Sequence, residues 1–201
     1  MDNLKSKNIF HEIKNQISVC DLYTEVIRRT LEKEGIENET LSRAIKNIKT
    51  SLSLITDCAT NLKEVKLQEL SLYETINNVF EICKTYNTSI NLISEILPNE
   101  LIFADKNKLT SALTNIIKNA IEANATTIKI SYDNKTISIE NNGDHIPEKI
   151  QNQIFNDGFT TKETGTGLGL MLTQQMLSEQ GFELTLTNST TEKTIFSIKK
   201  I

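Results

Sequence analysis

The chain has 201 residues, 38% hydrophobic and 24% charged, with a formal net charge of −4, enough for one or two small domains that each bury a core. Two Pro and seven Gly exclude a collagen-like or loop-dominated chain, and residues 1–65, with 10 Lys/Arg against 10 Asp/Glu, carry no basic stripe for nucleic acid. No apolar run approaches the about 20 residues that span a bilayer, and Met1-Asp2-Asn3-Leu4 leads into no signal-peptide core; the expectation is a cytoplasmic protein without direct membrane insertion, receiving any membrane signal through a separate sensor protein.

Residues 4–34 contain neither Gly nor Pro, and Phe10, Ile13, Ile17, Cys20, Thr24, Ile27 and Leu31 alternate spacings of three and four. That is a heptad seam on one long helix. Gly35 is placed to cap it. A second seam, Leu41, Ile45, Ile48, Leu52, Ile55, Ala59 and Leu62, predicts a partner helix and an antiparallel hairpin. Ile9, Val19, Tyr23, Val26 and Leu54 form a further apolar flank that a lone hairpin cannot bury. A homodimer, two hairpins making a four-helix bundle, covers both sides. A hairpin packed on its own C-terminal domain is the alternative. The three cysteines, Cys20, Cys58 and Cys83, form no C-x-x-C pair and read as reduced, mostly buried thiols.

The period changes near residue 66. Helices are predicted over Tyr73–Lys84, Leu109–Ala123 and Leu168–Gln180, and strands over Ser89–Ser94, Thr127–Tyr132, Thr136–Glu140, Phe182–Thr187 and Thr194–Ile198. Asp133-Asn134-Lys135 reads as the turn of a hairpin. The fold class is α+β: an N-terminal helical hairpin over 1–66, then an α/β sandwich with a mixed sheet over 67–201.

Chemistry concentrates in the second domain. Five of the seven glycines lie within residues 143–169, and Gly165-Thr166-Gly167-Leu168-Gly169 leads straight into a helix. Glycines there let backbone N–H groups approach phosphate, with the helix dipole in support; alone, the run serves a plain helix-start turn equally well. Asn115 and Asn119, spaced i, i+4, share a helix face. Neutral oxygens suit Mg²⁺ already carrying triphosphate charge, although two solvated asparagines in an Asn-rich chain are the plainer reading. Asn141-Asn142-Gly143 closes a strand, and Phe155 to Lys162 sets aromatics about Gly158 ahead of Thr161 and Lys162, a loop suited to fold over a nucleotide. Lys162 there offers phosphate a point charge.

Those pieces, in that order, resemble the ATP-binding domain of sensor histidine kinases, a fold shared with type II topoisomerases, Hsp90 chaperones and MutL repair proteins. Asn115-Ile-Ile-Lys-Asn119-Ala matches the N box, Asn141-Asn-Gly143 the G1 box, Phe155 to Lys162 the F box and Gly165 to Gly169 the G2 box. Leu97-Pro98, Asp105 and Leu109 fit the lead-in to the N box, and Phe10-His11-Glu12-Ile13 is similar to the H box of the phosphotransfer helix. The resemblance implies autophosphorylation of His11 from Mg-ATP and transfer to an Asp of a response regulator receiver domain. Glu12 would orient the imidazole, and Asn15 sits where a water is positioned for regulator dephosphorylation. Mg²⁺ would be held by Asn119, with help from Asn115. Asn141, Gly143, Phe155, Thr161, Lys162, Gly165, Thr166, Gly167, Leu168 and Gly169 would surround the nucleotide. Two departures stand out. Asn141 replaces the usual G1 Asp that accepts from the adenine amine, and His145 replaces the second G1 glycine, as a loop residue. The altered G1 box keeps open an ATP-independent histidine phosphotransferase, or a protein-binding adaptor.

Overall fold

In the computed structural model, backbone is described for residues 2–162 and 167–201, with side chains outside residues 2–12, 14, 46, 50, 54 and 57. The chain divides into two compact units, residues 1–62 and 63–201.

The first unit is two helices, α1 (Asp2–Lys33) and α2 (Glu39–Asn61). Gly35 turns the chain at φ 64°, a left-handed conformation that costs glycine nothing. Asn38 then caps α2, its side-chain oxygen accepting from the Leu41 amide at 3.0 Å. The helices are tied by Glu25, which takes Lys49 of α2 at 2.9 Å together with Arg28 and Arg29 of its own helix. Three cations hold the Glu25 carboxyl well below the usual carboxylate range, Arg28 contributing most. Thr24, Ile45, Ala59 and Thr60 are buried in this unit, whereas Val19, Leu22, Tyr23, Val26, Ile27, Leu41, Ile48 and Ile55 are exposed. Cys20 is also exposed and Cys58 half-buried, so the expectation of mostly buried thiols holds only for Cys83. The reason is geometric. Cys20 lies on a seam only part of which faces α2.

The second unit starts with β1 (Gln68–Ser71), α3 (Leu72–Lys84), β2 (Asn91–Ser94), β3 (Leu101–Ala104) and α4 (Lys106–Glu122). It continues through β4 (Thr127–Asp133), β5 (Thr136–Asn141), the single turn α5 (Glu148–Gln151), α6 (Gly169–Ser178), β6 (Phe182–Ser189) and β7 (Thr194–Lys200). β2-β4-β5-β7-β6 form one mixed sheet, parallel only at β2–β4, and β1 pairs antiparallel with β3 in a separate two-stranded sheet. The mixed sheet follows the sequence reading. β1, β3 and α5, each four residues long, do not appear in that reading. Asn134 and Lys135 both have positive φ (48° and 62°), giving the primed two-residue turn whose twist matches the flanking strands.

One sheet face is lined by Ile128, Ile130, Ile137, Ile139 and Ile198, all fully buried, against Leu72, Ile76 and Val79 of α3 and Leu109, Leu113, Ile116 and Ile117 of α4. Each such side chain contributes ~1.5–3 kcal/mol relative to an exposed one. Cys83 belongs to this core, and burial pushes its thiol up to about 12.

A polar network fixes α4 relative to α6. Asp105, almost fully buried, caps α4 by accepting from the Asn107 and Lys108 amides, while its other oxygen accepts from the Lys66 amide at 2.7 Å. The Asp105 amide donates to Gln180 Oε1 at 2.7 Å, and Gln180 Nε2 donates to the Met176 carbonyl of α6 at 2.8 Å. The buried Lys108 ammonium pairs with Glu179.

Candidate nucleotide site

Asn115 and Asn119 project from α4 beside the start of α6 and Lys162, but they are used differently. Asn115 Nδ2 donates to the Gly169 carbonyl at 2.8 Å and to Thr173 Oγ1 at 2.6 Å. Thr173 Oγ1 donates to the same carbonyl at 2.8 Å. Asn115 thus fastens α4 to the first turn of α6. A Cβ at Gly169 would stand 3.2 Å from Asn115 Nδ2, so the glycine makes room for the amide. Asn119 Oδ1 instead accepts from Lys162 Nζ at 3.2 Å. That ammonium also pairs with Glu122, one helical turn beyond Asn119. A cation therefore already rests against the oxygen expected to meet Mg²⁺. The donor set, neutral amide oxygens with one nearby carboxylate, fits a hard divalent ion that takes its remaining oxygens from phosphate and water.

The Asn141 to Asp144 turn packs onto the C-terminal end of α4. A Cβ on Gly143 would lie 2.5 Å from the Ala123 carbonyl oxygen and 3.0 Å from the Ala125 nitrogen, so no other residue fits without a backbone shift. The Asp144 amide donates to the same Ala123 carbonyl at 2.6 Å. Asn142 Oδ1 accepts from the Thr126 and Thr127 amides at 3.0 and 2.9 Å, and Asn124 Nδ2 donates to Asp144 at 2.6 Å. Asn141 is buried. Its Oδ1 accepts from the Gly143 amide at 3.0 Å and its Nδ2 reaches the Thr194 carbonyl at 3.4 Å. Thr194 Oγ1 and Ser189 Oγ lie 2.8 Å apart, and the latter accepts from the Ile146 amide at 2.8 Å. His145 is exposed in the loop.

The segment after α5 divides into a packed part and an exposed part. Phe155 meets Phe196 edge-on at 6.4 Å between centroids, and Phe159 packs on the same core. Thr161 is exposed, and the Lys162 amide donates to Thr160 Oγ1 at 3.1 Å. Gly167, at φ 70°, passes so close to Gly158 that a Cβ would fall 2.2 Å from the Gly158 carbonyl carbon. Leu168 and Gly169 then begin α6. Gly165 and Thr166 lie outside the described residues, as do the side chains of His11 and Glu12 on α1; Asn15, on the same helix, is exposed. A shallow cavity of about 350 Å³ lined by Gln151, Phe155, Gln174 and Leu184 includes neither asparagine of α4.

The sequence reading missed Glu122, Asn142, Thr173 and Thr194. Asn142 was visible as a polar residue inside a matched motif, and Glu122 as one lying two residues beyond another. Thr173 and Thr194 carry no local signal, since their importance comes from elements brought together only on folding.

Residues 104–201 match the family described as histidine kinase-, DNA gyrase B- and HSP90-like ATPase. That segment belongs to this ATPase family. Within it, the chain is similar to signal transduction histidine-protein kinase AtoS of Escherichia coli (strain K12), at 32% identity over 85% of the chain and 30% of the relative. Sporulation kinase A of Bacillus subtilis (strain 168) is 29% identical over 82% of the chain and 29% of that kinase. The chain thus spans under a third of the length of these curated relatives. Among solved structures, the nucleotide-free catalytic domain of histidine kinase ThkA has a TM-score of 0.57 at 29% identity, covering 67% of this chain and 96% of that domain. ThkA in complex with the response regulator protein TrrA has a TM-score of 0.59 at 27% identity, covering 98% of this chain and 61% of that one. The C-terminal unit is accordingly an ATP-binding domain of the histidine kinase type, with the mixed sheet of that fold. Among the described residues, no helix is long and apolar enough to cross a membrane.

Proposed function

We propose that the chain is the catalytic core of a two-component histidine kinase, autophosphorylating His11 from Mg-ATP and passing the phosphoryl group to an Asp of a response regulator. The observation that carries this reading is the pair of roles on α4. Asn115 secures the start of α6, and Asn119 presents its oxygen to a cation. The likeness to ThkA, solved with its regulator, supports the choice of partner.

In this reading Asn119 would hold Mg²⁺, which would supply neutralisation of the triphosphate charge. Lys162 turns from Asn119 to phosphate as a point charge. The described backbone near Gly167–Gly169 and the start of α6 lie alongside the phosphates. Asn141 meets the adenine amine through the second lone pair of Oδ1, the first being used by the Gly143 amide. An imidazole nitrogen of His11 forms the N–P bond as the bond to the ADP oxygen breaks. The neutral imidazole is the form that can act as the nucleophile. Glu12 orients the ring and stabilises the proton on the other nitrogen. Asn15 is assigned the positioning of a water for regulator dephosphorylation.

The exposed apolar residues of the first unit support a homodimer. Val19, Tyr23, Val26 and Ile27 on α1, with Ile48 and Ile55 on α2, are 45–64% exposed in the single chain. Two hairpins forming a four-helix bundle would cover them. Residues 1–66 are then the dimerisation and phosphotransfer hairpin and 67–201 the catalytic domain.

A second reading, an ATP-independent histidine phosphotransferase, draws on one feature: Asn141 Oδ1 is already engaged by the Gly143 amide. Incubation with γ-labelled ATP and Mg²⁺ separates the two. The kinase acquires acid-labile, base-stable label, and Asn119→Asp acquires none while remaining folded. If the wild-type chain takes no label yet accepts phosphate from a phosphorylated receiver, the second reading is correct.

A further inference from the structure

The Lys162–Glu122 pair joins the end of α4 to a residue 40 positions away in the chain. Its position is unusual because it includes Asn119. On α4, Asn119 and Glu122 are spaced i, i+3 and share a face, and Glu122 is the last residue of the helix, where unsatisfied carbonyls add negative potential. The Lys162 backbone is tied into a local turn through Thr160 Oγ1, which delivers the side chain to that face. Side-chain exposures of 44% for Lys162 and 26% for Glu122 mark a surface pair, one that exchanges partners at small cost.

The geometry points to Glu122 as a competitor of nucleotide phosphate for Lys162, one that makes nucleotide affinity depend on the divalent cation. This inference rests on the reading of Asn119 as the metal's oxygen. A lysine ammonium and Mg²⁺ cannot both sit against Asn119 Oδ1, because like charges about 4 Å apart repel by several kcal/mol at an effective dielectric constant near 20. Without metal, phosphate and Glu122 both draw on Lys162, and the carboxylate also repels the phosphates. With metal, the cation takes over the attraction to Glu122, and Lys162 is released to phosphate. Glu122 thus penalises metal-free nucleotide and favours the metal complex.

The test is calorimetric titration of the full chain with ADP, with and without Mg²⁺, for wild type, Glu122→Gln, Lys162→Met and the double variant. Glu122→Gln should tighten metal-free ADP about fivefold and shrink the ratio of metal-free to metal-bound dissociation constants by at least that factor, the size of a surface ion pair. In the Lys162→Met background the gain from Glu122→Gln should fall to twofold or less. If Glu122→Gln leaves the ratio within twofold of wild type, or gives the same gain with and without Lys162, the competition is refuted while nucleotide binding stands. If wild type binds no ADP under either condition, the nucleotide-site reading and this inference fall together.

Discussion

The two units are built from similar apolar content but finish their folding differently. In residues 63–201 the isoleucines of β4 and β5 are fully buried between sheet and helices. In residues 1–62, apolar side chains of comparable size remain exposed along both helices, and the buried set includes Thr24 and Thr60. A sheet with helices on one face closes its own core. A pair of helices with two apolar stripes each does not. The catalytic-type unit thus closes its own core, whereas the hairpin keeps apolar side chains exposed, which under the proposed function a second copy covers.

The sharpest way to break this comparison is at the chemistry assigned to each unit. His11→Gln alters only the hairpin, and the expected result is complete loss of phosphoryl label with nucleotide binding unchanged, read by label retention and calorimetry. Label that persists removes His11 from the reaction. Next in size is assembly. Val26→Glu with Tyr23→Glu places four charges in the two-copy interface, and sedimentation equilibrium should show dimer dissociation constants raised by about 100-fold or more, some 3 kcal/mol. An unchanged molecular mass would mean that the exposed stripe of α1 is not the dimer surface.

Smaller effects test the second unit. Gly143→Ala forces a Cβ to within 2.5 Å of the Ala123 carbonyl, so thermal or denaturant unfolding should show a loss of about 2 kcal/mol, as for overpacking elsewhere. The hairpin, having no part in that contact, should keep its dimer. Smallest is Asn141→Asp, which exchanges a neutral acceptor for a charged one. ATP should bind more tightly by about 1 kcal/mol, with discrimination against GTP preserved. Weaker binding of ATP in that variant would show that Asn141 Nδ2, through the Thr194 carbonyl, matters more than the oxygen.

Much of this was legible in the residues alone. The heptad spacing of Ile13, Ile17 and Thr24 and the turn at Gly35 gave the two helices, since helix periodicity and a left-handed cap are local properties. The alternation of Ile128/Ile130 and Ile137/Ile139 gave the central hairpin for the same reason. The matched asparagines and glycines pointed to the nucleotide site by their order. The tertiary structure alone decided what each of them does. Asn115 and Asn119 look equivalent in sequence, yet one is spent on holding α6 and the other offers its oxygen to a cation, a difference set by what lies opposite each on folding. Gly143 and Gly167 look like phosphate-loop glycines, but their need for glycine comes from backbone crossing backbone at Ala123 and Gly158. Short-range pattern determines which elements form and which face each buries. Partners far apart in the chain, such as Lys162 with Glu122 or Asp105 with Gln180, are fixed only when the core brings them together.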